Sequence, residues 1–459
     1  MSFVERFLTV LLRILAVLLR SARWLGRALS MPALIVTLLA GLALWIALPW
    51  LFLLAILVLL GVALLLTRRG RQALQVTRVG IATLPQRLGS SSVILVGIAG
   101  VVGVLVALLA MAEGFQTTLK ASGSNDTAIV LRAGSNNELS SGIDRASTTL
   151  ITQAPGIARD AQGHPIASPE LVVIVNLPKK STGTTANVQL RGVGPEAWSL
   201  YPHLRIIKGR RFTPGLRELV VGRGAETQFA GLGIGSKVLL GRQPWTVVGE
   251  FDAGDAHDSE LWGDSETVAS AYRRNGFQSV SVRLAGAADF ARFKAALLSN
   301  PQLKVDVETT RSYYAKQSAG LTRVIRAVGI TVAVIMAIGA IFGALNTMYA
   351  AVAARAREIA TLRAIGFTGL PVVVSVLLET MLLALLGGLL GGAIAWLIFN
   401  NYTVSTLGQN FSQVVFQFRV TPALLIAGLK WALAIGFVGG LFPALRAARL
   451  PVTTALREL

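Results

Sequence analysis

Asn346 to Gly366 reads NTMYAAVAARAREIATLRAIG. The segment leaves a long apolar run, carries Arg355, Arg357, Glu358 and Arg363, and stops at a glycine shortly before a second apolar run opens at Pro371. A charged stretch enclosed in this way lies between two membrane spans, and its arginines mark the cytoplasmic side. On a helix, Ile359, Leu362 and Ile365 fall opposite the charged residues, which are read as exposed, and Gly366 ends the helix as a C-terminal cap. Two readings fit: a docking element for a cytosolic partner, or a loop anchored by its arginines. Glu358 serves no orienting purpose in the second, which favours the first.

The chain around this segment is strongly apolar. A mean hydropathy of +0.62, with 53% hydrophobic and only 14% charged residues, is too apolar for a soluble domain, and several runs are long enough to cross a bilayer. The chain is therefore read as an integral membrane protein. Its net charge of +20 would suggest nucleic acid in a soluble protein, but many arginines flank apolar runs and no basic stripe interleaves with aromatics, so no nucleic-acid partner is expected. The absence of cysteine excludes disulfides, thiolate metal sites and cysteine nucleophiles.

Residues 1–30 set Arg6, Arg13, Arg20 and Arg27 seven apart, with Arg23 near the same side, and predict an amphipathic interfacial helix. A signal peptide would confine its charge to the start and place a small-residue cleavage site after the apolar core. Residues 31–67 are almost wholly apolar, broken by Pro49 between Trp45 and Trp50, and predict a tight transmembrane hairpin. Each half is a little short for a span, so a re-entrant or in-plane hairpin is the alternative. Residues 68–90 hold Arg68, Arg69, Arg71, Arg78 and Arg87 without an acidic residue and form a basic cytoplasmic linker. Residues 91–113 make the first core span, where Gly97, Gly100 and Gly103 permit close helix approach.

Residues 114–309 change character. Polar residues, proline and glycine punctuate strand-like runs at Leu171–Val175, Leu219–Val221, Lys237–Leu240 and Trp245–Val248. The last two are joined by Gly241-Arg242-Gln243-Pro244 as in a hairpin, and Asp289–Leu298 reads as a short amphipathic helix. This is a folded α+β domain, large enough for its own core, on the extracytoplasmic side.

In residues 310–352, Tyr314, Gln317, Leu321, Val324 and Val328 recur at 3- and 4-residue spacing, as in a stalk helix running into the second span. The same spacing fits the buried face of any one helix. The charged joint covers 353–370, the third span 371–399, an external loop 400–421, the fourth span 422–445 and a tail with Arg446, Arg449 and Arg457 446–459. The inner segments are all Arg-rich, which yields six crossings, both termini in the cytoplasm and one large outer domain. The fold class is an α-helical transmembrane bundle, a four-span core preceded by a hairpin, with an α+β extracytoplasmic domain.

Gly387, Gly388, Gly391, Gly392, Gly436 and Gly440 give small-xxx-small spacing, whose expected use is close helix packing within or between copies. Glu379 lies inside the third span, where an ionisable group should face the bundle interior. A structural hydrogen bond is favoured over proton transfer, because the apolar runs of the spans offer no second carboxylate or histidine. The loop DAGDAHDSELWGD clusters Asp252, Asp255, His257, Asp258, Glu260 and Asp264, and is read as a solvated acidic loop rather than a metal site. His164 and His203 each lie next to a proline, with no nearby serine and carboxylate to suggest a triad. No G-x-x-x-x-G-K-[ST] loop occurs, so nucleotide hydrolysis is expected from another polypeptide.

NTM followed by AREIATLRAIG, then LLETMLLALLGGLLGG over Leu377–Gly392 and GGLFPALRAARLPVTTALREL at the C-terminal end, strongly resemble the FtsX-like permease module of the MacB-type, or mechanotransmission (type VII), ABC transporters. GRRF (Gly209–Phe212), ELVVG (Glu218–Gly222) and GIGSKVLLGRQPWTVVGEF (Gly233–Phe251) resemble, less specifically, that family's periplasmic domain. The resemblance implies four core spans around a large domain, two paired permease copies in the bacterial inner membrane, and two copies of an ABC ATPase that binds ATP and Mg. No cofactor is implied in this chain. Arg357, Glu358, Thr361, Arg363 and Gly366 fall on the family's coupling motif, with Arg355 at its head. ATP-driven closure would move this helix and, through the second span, the outer domain, to export or extract a substrate from the periplasm or outer leaflet, with a membrane-fusion or other periplasmic adaptor as a further partner. The alternative is a non-transporting member that uses the same stroke to signal or to regulate cell-wall enzymes; a membrane-anchored enzyme built on the Asp-rich loop is remoter still. The resemblance assigns no role to the first 90 residues.

Overall fold

The computed structural model describes residues 31–82, 88–408 and 411–449. The helix expected over 1–30, and Arg457 of the tail, lie outside the described residues. The chain divides into two compact units. One holds the residues up to Gly103, Ala333–Ile394 and those from Pro422 onward; the other holds Val104–Val332 and Ala395–Thr421.

The helices that lie wholly or partly in the first unit are α1 (Met31–Ala47), α2 (Trp50–Leu66), α3 (Arg68–Ala82), α4 (Leu88–Ala121), α5 (Thr310–Ala354), α6 (Ala356–Ala364), α7 (Gly369–Phe399) and α8 (Pro422–Arg449). Of these, α4, α5, α7 and α8 are long and apolar enough to cross a membrane. The helix α5 runs unbroken for 45 residues, so the predicted stalk and second span are one element.

The first apolar segment differs from the tight hairpin read in the sequence. Its arms α1 and α2 are 17 residues each and bend by 115° at Leu48 and Pro49, an open V. At 1.5 Å per residue each arm is about 25 Å long, short of the ~30 Å hydrocarbon core. Among the described residues four helices are of spanning length, and α1 with α2 forms one bent pair. Lys430 of α8 donates from Nζ to the carbonyls of Ile46 and Leu48, and Trp45 Nε1 donates to the Lys430 carbonyl at 3.0 Å. The cation thus satisfies carbonyls that the end of α1 leaves without partners.

The stretch read as a linker over 68–90 contains the amphipathic helix α3. Gly70, Ala73, Val76, Thr77 and Gly80 form its buried stripe, at the 3- and 4-residue spacing of one helix face, while Arg68, Arg69, Arg71 and Arg78 are exposed. The glycines of α7 serve two neighbours. Gly387 and Gly391 face Leu95 and Ala99 of α4, whereas Gly388 and Gly392 face Ala432 and Leu425 of α8. Gly436 and Gly440 of α8 return the contact to Ala384 and Thr380. Adjacent pairs four residues apart present two faces of one helix, so α7 packs closely on both sides at once.

The second unit is built on a ten-stranded sheet. From one edge the strands run Val305–Thr309, Thr127–Arg132, Ser279–Arg283, Ala167–Pro178, Thr185–Val193, Glu260–Asp264, Glu218–Gly222, Gln243–Asp252 and Arg205–Gly209, and Lys237–Leu240 pairs with Gln243–Asp252. Thr185–Val193 and Glu260–Asp264 are parallel, as are Glu218–Gly222 and Gln243–Asp252; the other pairs are antiparallel. The predicted hairpin turns on Gly241 and Arg242 alone, both at positive φ (57° and 63°), as a two-residue turn between strands demands. Of the apolar clusters in the unit, one packs Trp245, Phe229 and Leu190, another Phe293, Ile151 and Val280, and another Trp262, Phe251 and Tyr201.

The segment read as an external loop, 400–421, contains an antiparallel pair, Thr403–Leu407 with Gln413–Gln417. Phe416 of this pair meets Phe115 edge to face at 5.5 Å, and Val415 N–H donates to Ser259 Oγ at 2.8 Å. It therefore belongs to the outer unit.

Candidate functional site

The helix α6 begins where α5 stops. Arg355 sits between them in a non-helical conformation, its N–H donating to Val352 O and its carbonyl accepting from Ile359 N–H. At the other end Phe367 N–H bonds to Leu362 O and Gly366 N–H to Arg363 O, the paired bonds of a Schellman cap. Gly366 has φ +105°, and a Cβ there would touch nothing within 4 Å, so backbone conformation alone calls for glycine.

Arg357, Glu358 and Thr361 are exposed and Arg363 is half-buried. Two expectations are corrected. Arg355, read as exposed, is buried: Nη1 donates to Glu379 Oε2 at 3.1 Å and Nε to Glu358 Oε2 at 3.2 Å. It heads the helix rather than lying on its outer face, so its side chain turns inward. Ile365, read as part of the apolar side, is 69% exposed, because the helix has ended before it; Ile359 and Ala360 are the buried pair. One partner of Glu379 is thus a side chain 24 residues earlier, at the head of α6. Sequence gave no sign of this pairing beyond the presence of a carboxylate in a span.

The outer unit contains a second cluster of charge. Arg191, on the strand Thr185–Val193, is 1% exposed. Its Nη1 donates to Glu138 Oε1 at 2.7 Å and Glu170 Oε2 at 2.6 Å, and its Nε to Glu260 Oε2 at 2.8 Å. Gln189 donates to Glu260 Oε1 and Tyr201 to Glu170 Oε1, while Trp262 and Ser279 add second donors to Glu260 Oε2 and Glu138 Oε1, oxygens that Arg191 already engages. Burial pushes the Glu170 carboxyl above its ordinary range despite Arg191, whereas for Glu138 the same burial is outweighed by Arg191 and the group is held below it. Glu138, Arg191 and Glu260 line a cavity of about 50 Å³ together with Tyr313, Tyr314 and Gln317. Nothing in the residue order marks this cluster: in TANVQLRGV, Arg191 alternates with the apolar Val188 and Leu190 and shares its side of the strand with Asn187 and Gln189.

The acidic loop is not solvated as expected. Asp255, His257, Glu260 and Asp264 are buried, and Glu260–Asp264 is a strand with Trp262 in the core. Asp255 receives His257 Nδ1 at 2.9 Å and His203 Nε2 at 3.0 Å. His257 meets Tyr314 Oη at 3.3 Å through Nε2. Burial opposes protonation of His257, but the Asp255 carboxylate prevails and raises its pKa to about 9; Asp255 is held well below the usual range. One ligand atom from each of His203, Asp255 and His257 lies within 4.8 Å of the others. Both histidines already engage the single carboxylate, so a cation there would displace both hydrogen bonds.

Four helices of spanning length, an α+β unit between the first and second, and a short charged helix between the second and third define a membrane permease subunit. Residues 91–299 match the MacB-like periplasmic core domain and residues 330–452 the FtsX-like permease C-terminal domain. On these two domains the chain belongs to the FtsX/MacB-like ABC permeases. It is 27% identical over 385 residues to the macrolide export ATP-binding/permease protein MacB of Photorhabdus laumondii, covering 80% of this chain and 57% of that protein. With MacB of Shewanella oneidensis the identity is 26%, covering 72% and 55%. The chain thus spans little more than half the length of these relatives. Among solved structures, the periplasmic region of MacB from Actinobacillus actinomycetemcomitans aligns with 41% of this chain and 90% of its own at 14% identity and a TM-score of 0.32.

Proposed function

We propose that the chain is the membrane half of an ATP-driven machine, in which α6 receives the stroke of a separate ABC ATPase and the outer unit delivers it to a substrate in the periplasm or outer membrane leaflet. The observation that carries this reading is Arg355, which binds Glu358 on α6 and Glu379 inside α7 with one guanidinium. A push on α6 is thereby resisted by a third-span side chain instead of dissipating in a loop. The exposed Arg357, Glu358 and Thr361 are the surface offered to the ATPase. In this reading two permease copies work together with two ATPase subunits, both termini face the cytoplasm, and the nucleotide and Mg are held by the ATPase. The exposed apolar positions Ile335, Ile338 and Phe342 on one side of α5 support a second copy as neighbour. A periplasmic adaptor completes an export complex.

Replacing Glu358 and Arg363 together with alanine should abolish co-purification with the ATPase, or its stimulated hydrolysis, while membrane insertion is unchanged. Survival of both association and stimulated hydrolysis would sink the assignment.

A further inference from the structure

The pair Arg355–Glu379 has a third neighbour, and it comes from the part of the chain to which no role is assigned. A Cβ built on Gly80 of α3 would stand 3.0 Å from Glu379 Oε2 and 3.1 and 3.4 Å from the Arg355 Nη1 and Nη2 atoms. The α3 backbone therefore lies directly on both ions, and any larger residue at position 80 must push them aside. Gly80 closes the stripe that begins at Gly70, Ala73, Val76 and Thr77, so the whole helix is seated through the face that ends on the pair. The arginines Arg68, Arg69, Arg71 and Arg78 all point away from it.

We propose that α3 is a positioning element of the coupling joint: its Gly80 surface seals the Arg355–Glu379 pair and thereby sets where α6 stands relative to α7. Covering an ion pair removes water that would compete for both partners and strengthens their attraction. With α3 in place the carboxylate side of the joint is solid, and Arg355 holds the head of α6. With α3 displaced, water reaches the pair and Arg355 holds the head of α6 less firmly. The consequence for coupling rests on reading α6 as the ATPase contact; the positional claim does not.

The chain contains no cysteine, so spin labels can be placed without background. Nitroxides at Thr361→Cys on α6 and Leu386→Cys on α7, both exposed sites, report the joint by pulsed EPR on the full chain in nanodiscs. A second pair, Leu386→Cys with Phe437→Cys on α8, reports the bundle itself. Gly80→Val should spread the first distance from one population to several and leave the second unchanged, while Val79→Ala, at an exposed neighbour, changes neither. An unaltered first distance in Gly80→Val overturns the proposal, and so does equal spreading of both pairs, which would mark α3 as general scaffolding. Should Gly80→Val fail to insert, Ala73→Gln, which lifts α3 by the same stripe without touching the ions, is judged by the same criteria. Because this measurement needs no ATPase, its failure is distinct from failure of the co-purification test.

Discussion

Arg191 and Glu170 form an ion pair of 2.6 Å in which the two side chains are 2% and 0% exposed. Glu138 and Glu260 share the same guanidinium, so one cation serves three buried carboxylates. Removing a single partner from such a site is costly because the remaining charges stay in a medium that cannot solvate them. Arg191→Ala is expected to destabilise the outer unit by about 3–5 kcal/mol. Thermal unfolding of the full chain, followed by tryptophan fluorescence, would register this as a large fall in Tm. A wild-type Tm would show that the cluster relaxes or hydrates.

His257 makes the outer unit pH-sensitive. Its folded pKa of about 9 lies above the unfolded value of 6.5. A raised histidine pKa means the folded state binds the proton more tightly, so the contribution is complete below pH 6.5 and disappears as the pH climbs through 9. Stability should decline between pH 6.5 and 9 in the native chain, and His257→Gln should flatten that slope. Urea midpoints at a series of pH values provide the check; an unchanged slope in the variant refutes the assignment.

The cap of α6 depends on one backbone conformation. Gly366→Ala introduces no clash, since nothing lies within 4 Å of the added Cβ, and its cost is the strain of φ +105° alone. A loss of about 1 kcal/mol is expected, confined to the last turn of α6. Amide hydrogen exchange at Ile365, Gly366 and Phe367 should speed up while the amides of α7 are unaffected.

Packing between α4 and α7 is limited by Gly391, where a Cβ would come within 2.9 Å of the Ala99 Cα and closer still to its carbonyl oxygen. Those are backbone atoms and cannot rotate away. Gly391→Ala should cost about 1–3 kcal/mol, typical of overpacking. Gly343→Ala, at a glycine of α5 with no neighbour within 4 Å, is the control. Heat resistance in detergent should drop for the first and hold for the second.

Elements whose cause is local were legible from residue order. The long apolar helices, the strand pair turning on Gly241 and Arg242, and the end of α6 at Gly366 each follow from hydropathy, periodicity or a single glycine. The open V at Pro49 was half legible: the break is a property of proline, but the side chain that meets the carbonyls at the bend, Lys430, lies 381 residues later in the chain. The helix α3 was hidden among arginines that read equally well as a topogenic linker. The strand pair at Thr403–Leu407 and Gln413–Gln417 was missed because a short polar alternating run acquires its identity only from the sheet and aromatic neighbours it meets.

By itself the sequence determined that this chain has helices apolar enough to enter the membrane, where along it the folded α+β domain lies and which short helix joins the second and third spans. Those are consequences of how each segment partitions between water and lipid. Only the tertiary structure decided that Arg355 turns inward to Glu379, that Gly80 lies against both, and that Arg191 gathers Glu138, Glu170 and Glu260. Charges so far apart in the chain come together through helix and sheet packing. Residue spacing carries no record of which of them will share a buried site.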